Sequence, residues 1–295
     1  MDHLFSKLKQ QFRGGGILIQ LIYINVGVFI VCSLLTVILR LFNFDADVIL
    51  QYLYLPSNVW LLIQRPWTII TYMFCHSGIL HLLFNMLWLY WFGTIFRMQF
   101  NARTLGGLYF LGGIFGALIF ILAYNIFPFF AEHSYNSSLV GASASVLAIV
   151  VATAMRLPNL EINFMFIGSV KLKYVAMVIV LLDLVSITSS NAGGHIAHLG
   201  GALAGYLFSL NWKSGKDITT FINKLIDKLV NLFKGKPKMR VHVNKTRKAE
   251  TDIEYRTRKA QEEKSINAIL EKIKQSGYDS LSKDEKKSLF EASKK

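Results

Sequence analysis

Of the 295 residues, 53% are apolar and only 17% charged, and the mean hydropathy is positive, which excludes an ordinary soluble domain. The charge is also uneven: residues 212–295 carry 22 of the 32 Lys and Arg and 12 of the 18 Asp and Glu, so the chain reads as a membrane body followed by a polar tail. Cys32 and Cys75 sit in or beside apolar runs, which excludes a disulfide-stapled secreted fold and a CxxC-type metal site; no metal or other cofactor is expected.

A helix crosses the hydrocarbon layer with about 20 apolar residues. Stretches free of Asp, Glu, Lys and Arg run from Gly14 to Leu39, Pro66 to Phe96, Thr104 to Ala131 and His133 to Met155. A fifth, Tyr174 to Trp212, is broken only by Asp183; at 39 residues it is too long for one crossing, and the turn signal Ser189 to Gly194 splits it. The spacing therefore predicts six helices centred on 18–39, 78–95, 104–125, 141–157, 174–189 and 195–211. The first is longer than the apolar core of a signal peptide and has no obvious small-x-small site before Arg40, so it is expected to stay as an anchor. The first loop, 41–64, holds the apolar segment Val48–Gln64 broken by Pro56, Ser57 and Asn58; Tyr52, Tyr54 and Trp60 either sit at headgroup depth or pack on the helix ends.

Lys and Arg in short loops mark the cytoplasmic side. With six crossings that side holds Lys7, Lys9, Arg13, Arg97, Arg103, Arg156, Lys171, Lys173 and the tail, against Arg40 and Arg65 on the other, so both termini are expected in the cytoplasm.

Polar residues inside the spans cluster three times: His76, His81 and Asn85 on the second, Gly141-Ala142-Ser143-Ala144-Ser145 opening the fourth, and Gly194 to Gly201, then Gly205, opening the sixth. All three lie at extracytoplasmic helix ends, so they can converge on one cavity. His81 and Asn85 share a helix face and offer two donors to one small anion, or bridge neighbouring helices. Ser143, near a helix start with unpartnered backbone N–H groups, suits a nucleophile beside an oxyanion site, and equally a helix cap. The small-residue ridge Ala144, Ala148, Ala152 and the pair Gly201, Gly205 predict close approach of the fourth and sixth helices. That approach would bring Ser143 toward a histidine base, either His195 or His198.

At these residues the sequence resembles the rhomboid family of intramembrane serine proteases, of the bacterial type. Gly141-Ala142-Ser143-Ala144 matches GxSx, and Gly193, Ala197, His198, Gly201 and Gly205 match GxxxAHxxGxxxG. His81 and Asn85 match HxxxN with His76 before it, and Arg65-Pro66-Trp67 looks like the family's first-loop segment. The resemblance covers about residues 15–210 and implies an all-α, six-helix rhomboid bundle with Ser143 as nucleophile and His198 as base. His81 and Asn85, with the Ser143 N–H, would hold the oxyanion, and His195 and His76 would be accessory. The substrates implied are transmembrane segments reached sideways, the fifth helix being the gate. Asp183 reads as a bundle-facing polar contact in a dyad that needs no acid. Two positions depart from the pattern: Ala144 stands where many members have glycine, and Leu147 where an aromatic ring commonly stacks on the histidine. The alternative is a rhomboid-like protein, weakly active or inactive, that binds membrane clients; non-catalytic members typically lack the serine or the histidine, and this chain has both. A proton-relay transporter using His76, His81 and Asp183 would need polar residues reaching both faces, and the cytoplasmic halves show few.

In the tail, Asp217 to Phe233 has an apolar stripe (Ile218, Phe221, Ile222, Leu225, Ile226) with Lys224 and Lys228 elsewhere, a basic amphipathic helix expected on anionic inner-leaflet lipid, with no nucleic acid implied. Lys234 to Lys248 is a basic linker. Ser265 to Lys295 reads as a helical hairpin, split at Ser276-Gly277 and restarted by the capping-box pattern Ser282 to Glu285, similar to one appended to some bacterial rhomboids. The expected organisation is a cytoplasmic segment over 1–17, the six-helix protease domain over 18–211, the amphipathic helix and linker over 212–248 and a cytoplasmic helical hairpin over 249–295, in a bacterial inner membrane.

Overall fold

The computed structural model describes residues 6–7, 10–12, 14–131, 137–164, 168–233 and 251–293; the basic linker over 234–248 and the start of the fourth apolar stretch at His133 lie outside them. Helices stand on all six apolar segments: α1 (Gly16–Leu41), α2 (Ile79–Phe96), α3 (Ala102–Ile126), α4 (Ser143–Arg156), α5 (Leu172–Val185) and α6 (Ala192–Lys213). Three of them, α1, α2 and α3, are long and apolar enough to cross a membrane. At 14 residues each, α4 and α5 rise about 21 Å, short of the roughly 30 Å hydrocarbon layer. Composition explains α6, which is 22 residues long but carries Gly193, Gly194, His195, His198, Gly200 and Gly201 in its first half.

Helix α4 is the centre of the bundle and packs against α2, α3 and α6. Its residues from Ala144 to Ala154 are all buried. Close approach depends on missing Cβ atoms: a methyl on Gly116 of α3 would lie 2.6 Å from the Ala144 Cβ and 3.0 Å from the Ala197 carbonyl oxygen, and one on Gly201 or Gly205 of α6 would overlap the Ala144 or Ala148 carbonyl. The expected small-residue contact between the fourth and sixth helices is therefore present, with α3 as its third member. On α1, the fully buried Asn25 donates to the Leu21 carbonyl oxygen (2.8 Å) and to the Tyr109 hydroxyl (3.1 Å), which donates in turn to the Met73 carbonyl oxygen (3.0 Å), so no polar atom of Asn25 and Tyr109 faces lipid.

The first loop is folded. Short helices Asp47–Leu50 and Val59–Gln64, the latter capped by the Asn58 side chain, flank strand β1 (Leu55–Pro56), which pairs antiparallel with β2 (Ser138–Leu139). Trp67 Nε1 donates to the Tyr52 carbonyl oxygen (2.8 Å), and the Arg65 guanidinium lies 3.9 Å from the centre of the Tyr52 ring. Trp60 stays 75% exposed, so it does not pack on the helix ends. A hairpin of β3 (Glu161–Phe164) and β4 (Gly168–Lys171) joins α4 to α5. The turn between α5 and α6 sits earlier than the glycine signal suggests: α5 ends at Val185 and α6 begins at Ala192. The reason is packing, since Gly193 lies inside the first turn of α6, where the Phe120 ring occupies the space of a side chain (2.8 Å from an added Cβ).

Helix α7 (Thr219–Phe233) closes the first compact unit, Met1–Gly235. It docks on the start of α3 through Thr219, Ile222 and Asn223, with an ion pair between Arg103 and Asp227, while Phe221 is 74% exposed and Leu225 is exposed beside it. The second unit, Lys236–Lys295, contains α8 (Asp252–Ser276) and α9 (Lys283–Ala292), each started by a capping box, Thr251 with Glu254 and Ser282 with Glu285. Gly277, at φ +77°, turns the chain between them, and Lys272 binds Glu285 at 3.0 Å. The first helix of this hairpin starts 13 residues before the expected Ser265, because Thr251 supplies a cap that the apolar pattern alone does not display.

Candidate active site

Ser143 is the first residue of α4, following the cap Ala142. Val146 N–H donates the first helical bond to the Ala142 carbonyl oxygen (2.9 Å), so the N–H groups of residues 143–145 project from the helix end unused by the helix. The segment leading to it is fixed on both sides: β1–β2 pairing holds Ser138 and Leu139, and Gly141 N–H donates to the Tyr72 carbonyl oxygen at 3.0 Å. Tyr72, fully buried, donates its hydroxyl to the Gly113 carbonyl oxygen at 2.6 Å. Gly141 has φ +130°, where an L side chain is strained.

The His81 ring lies over Gly141. A methyl there would sit 2.9 Å from His81 Cε1, 3.0 Å from His81 Nε2 and 3.5 Å from Ser143 Oγ, so the ring edge and the serine oxygen border one small volume. Nδ1 of His81 is 3.0 Å from Ser77 Oγ. With Ser77 as donor, Nε2 carries the proton and points its N–H toward that volume. Asn85, one turn on, uses one amide hydrogen on the His81 carbonyl oxygen (2.8 Å) and keeps the other. His76 stacks edge-on against His81 at 5.2 Å, and neither of its ring nitrogens has a hydrogen-bond partner among the described residues.

From α6, His198 reaches the same cavity of about 630 Å³ as Ser143, His81 and Asn85. The remaining wall is mostly apolar, including Phe84, Trp88, Val146, Leu147, Val150 and Ile179, and admits a hydrophobic side chain beside the polar cluster. His195 does not line it, and neither does Ser145, which is buried on the far side of α4. Ala144 is accommodated against Gly116, and Leu147 lies in the cavity wall.

Asp183 is the bundle-facing polar contact that the sequence leads one to expect, but its partners are the two histidines of α6. The residue is 5% exposed, and its Oδ1 lies 2.8 Å from Nδ1 of both His198 and His195. Nothing in the spacing displays this, because Asp183 is on α5 and the histidines on α6, and the turn between decides whether they meet. Ser77 escaped notice for a different reason: it precedes α2 and belongs to no periodic pattern. Three donor atoms of Asp183, His195 and His198 are close enough to hold an ion. At 2.8 Å, however, Oδ1 is at hydrogen-bond distance from both nitrogens, shorter than the roughly 3.3 Å between neighbouring ligands of a tetrahedral zinc with bonds near 2.0 Å.

A rhomboid-domain profile matches residues 64–212, and residues 249–295 match a family of unknown function, DUF6576. Among curated proteins the chain is 31% identical over 149 residues to RHOMBOID-like protein 12, mitochondrial, of Arabidopsis thaliana, covering 47% of this chain and 44% of that one. It is 34% identical over 91 residues to Inactive RHOMBOID-like protein 8 of the same plant (31% and 24% covered) and 30% identical over 155 residues to Rhomboid-related protein 1 of Caenorhabditis elegans (49% and 39%). The chain thus spans less than half the length of these relatives.

Proposed function

We propose that this chain, which belongs to the rhomboid family, is an intramembrane serine endopeptidase that cleaves transmembrane segments of other membrane proteins. The observation that carries the reading is a single cavity bordered by Ser143 at a helix N-terminus, His198, and the donors His81 and Asn85. Ser143 Oγ attacks the scissile carbonyl while His198 takes its proton; the carbonyl oxygen, now anionic, is met by the Ser143 N–H, the His81 Nε2–H and the Asn85 amide. His198 then protonates the leaving amine, and water repeats the sequence on the acyl-enzyme. No metal or cofactor takes part.

In this reading α1 to α6 make six crossings with both termini in the cytoplasm of a bacterial-type cell. The short α4 supports it, since a 14-residue helix with its partners around it leaves Ser143 below the membrane surface. Water reaches Ser143 through the cavity, and the substrate enters beside α5, most of whose apolar surface is unpartnered. The basic amphipathic α7 lies along the inner leaflet, its uncovered Phe221 and Leu225 toward lipid and Lys224 and Lys228 toward anionic headgroups.

The test is cleavage of a single-span substrate by protein reconstituted in liposomes. Wild type should cut, and Ser143→Ala and His198→Ala should each lower the rate by at least about a thousandfold. A folded wild type that binds several such substrates and cuts none would instead support a client-binding role, the kind of loss named in one Arabidopsis relative.

A further inference from the structure

Asp183 belongs to no motif, yet it is the one buried residue in the last turns of α5, where Leu181, Leu182, Leu184 and Val185 are all exposed. Its carboxylate is held by two imidazoles three residues apart on α6, both at Oδ1, while Oδ2 is buried with no hydrogen-bond partner among the described residues. We propose that Asp183 is a positioning residue that makes the Ser143–His198 pair a three-residue device, with His195 as the second anchor of the carboxylate. The inference rests on the proteolytic reading above and deepens it.

A carboxylate only accepts hydrogen bonds, so Nδ1 of His198 must be the donor, and the neutral ring then carries its lone pair on Nε2. That is the tautomer required to take a proton from Ser143. When the ring becomes an imidazolium, its new charge forms 2.8 Å from an anion already in place. The bare Oδ2 fits this role: besides His198 only His195 bonds the carboxylate among the described residues, so much of its charge is left to act on His198 once that ring is protonated. His195 fixes the carboxylate from the side away from the cavity, which explains its proximity to the site without a place in the cavity wall. Because Asp183 is carried by α5 and His198 by α6, the correct tautomer also requires that the end of α5 be seated.

The alternative is a purely structural tether between α5 and α6, and steady-state kinetics in liposomes separates the two. Asp183→Asn keeps the shape but loses the charge and one acceptor site. It should lower kcat at least about tenfold with KM within about twofold of wild type. Asp183→Glu, which keeps the charged acceptor, should recover part of kcat, and His195→Gln should lower kcat less than Asp183→Asn does. The inference is overturned if Asp183→Asn keeps the wild-type kcat, or if Asp183→Asn and Asp183→Glu lose activity alike and in step with a lowered melting temperature or a raised KM. Failure of the proteolytic reading looks different: wild type itself cuts nothing, and the role of Asp183 falls with it.

Discussion

Gly141 shows how one missing side chain shapes the site. Its φ of +130° and the His81 ring 2.9 Å from where a Cβ would stand are two independent reasons for glycine. Gly141→Ala should therefore cost about 1–3 kcal/mol of backbone strain and displace His81, lowering kcat more than the melting temperature suggests; denaturant unfolding beside cleavage rates checks this. Ser77→Ala removes the partner of His81 Nδ1 (3.0 Å) and frees the ring to turn or change tautomer, so kcat should fall by roughly tenfold with the fold intact, read from cleavage rates at saturating substrate. Ser143, His81 and Asn85, which share one cavity with His198, stand out in the sequence because each lies in a short pattern along one helix, whereas spacing leaves His195 and His198 equal and only the family resemblance separates them. Ser77 and Asp183 do not stand out in this way, because their partners lie across a turn or on another helix, and a hydrogen bond through space leaves no period in the chain.

Among the elements, α4 owes its position to glycines on its neighbours. Gly201→Ala places a methyl against the Ala144 backbone, which no rotamer change relieves, and should destabilise by about 1–3 kcal/mol, measured by unfolding in mixed detergent. Helix α7 offers a contrast between kinds of contact. Its Arg103–Asp227 pair is more than half exposed, so Arg103→Ala should cost less than about 1 kcal/mol. Gly107→Val instead drives a side chain into Thr219 (2.7 Å) and Asn223 (2.8 Å) and should detach the helix, seen as new protease cleavage near residues 214–218. The amphipathic period announced α7, but two of the three residues of its docking face, Thr219 and Asn223, are polar, and polar residues in an amphipathic plot are counted as facing water. The starts of α6 and α8 shifted for similar reasons: a ring over Gly193 and a threonine cap are local contacts outside the hydropathy pattern.

For the molecule as a whole, uneven charge puts the change from apolar body to basic tail at residue 212, whereas the compact units divide after Gly235 because α7 docks on α3; apolar run length announced the helices of the first unit. Run length could not say which helices span fully, because the central ones trade length and hydropathy for polar and glycine residues at the buried end. The tail unit carries a carboxylate whose caps depend on its charge. Hydrogen bonds from the Ser282 backbone and then from Lys272 hold the Glu285 carboxyl below its ordinary value near 4.5. A depressed carboxyl adds stability that is complete above its unfolded pKa and is lost as pH falls through the folded one. The helical content of the tail should thus fall slightly on acidification below about pH 4.5, and Glu285→Gln should reduce that change in circular dichroism.

The junction of α3, α4 and α6 is made largely of backbone against backbone, through Gly112, Gly116, Gly201 and Gly205. Glycine and alanine have no side-chain rotamers to set free on warming, so this centre gains little from local loosening. Heat should then erode the molecule from its rim inward, starting with α1 and α5, whose outward faces are long and exposed, and His198 should lose its contact with Asp183 while the helix carrying Ser143 is still in place.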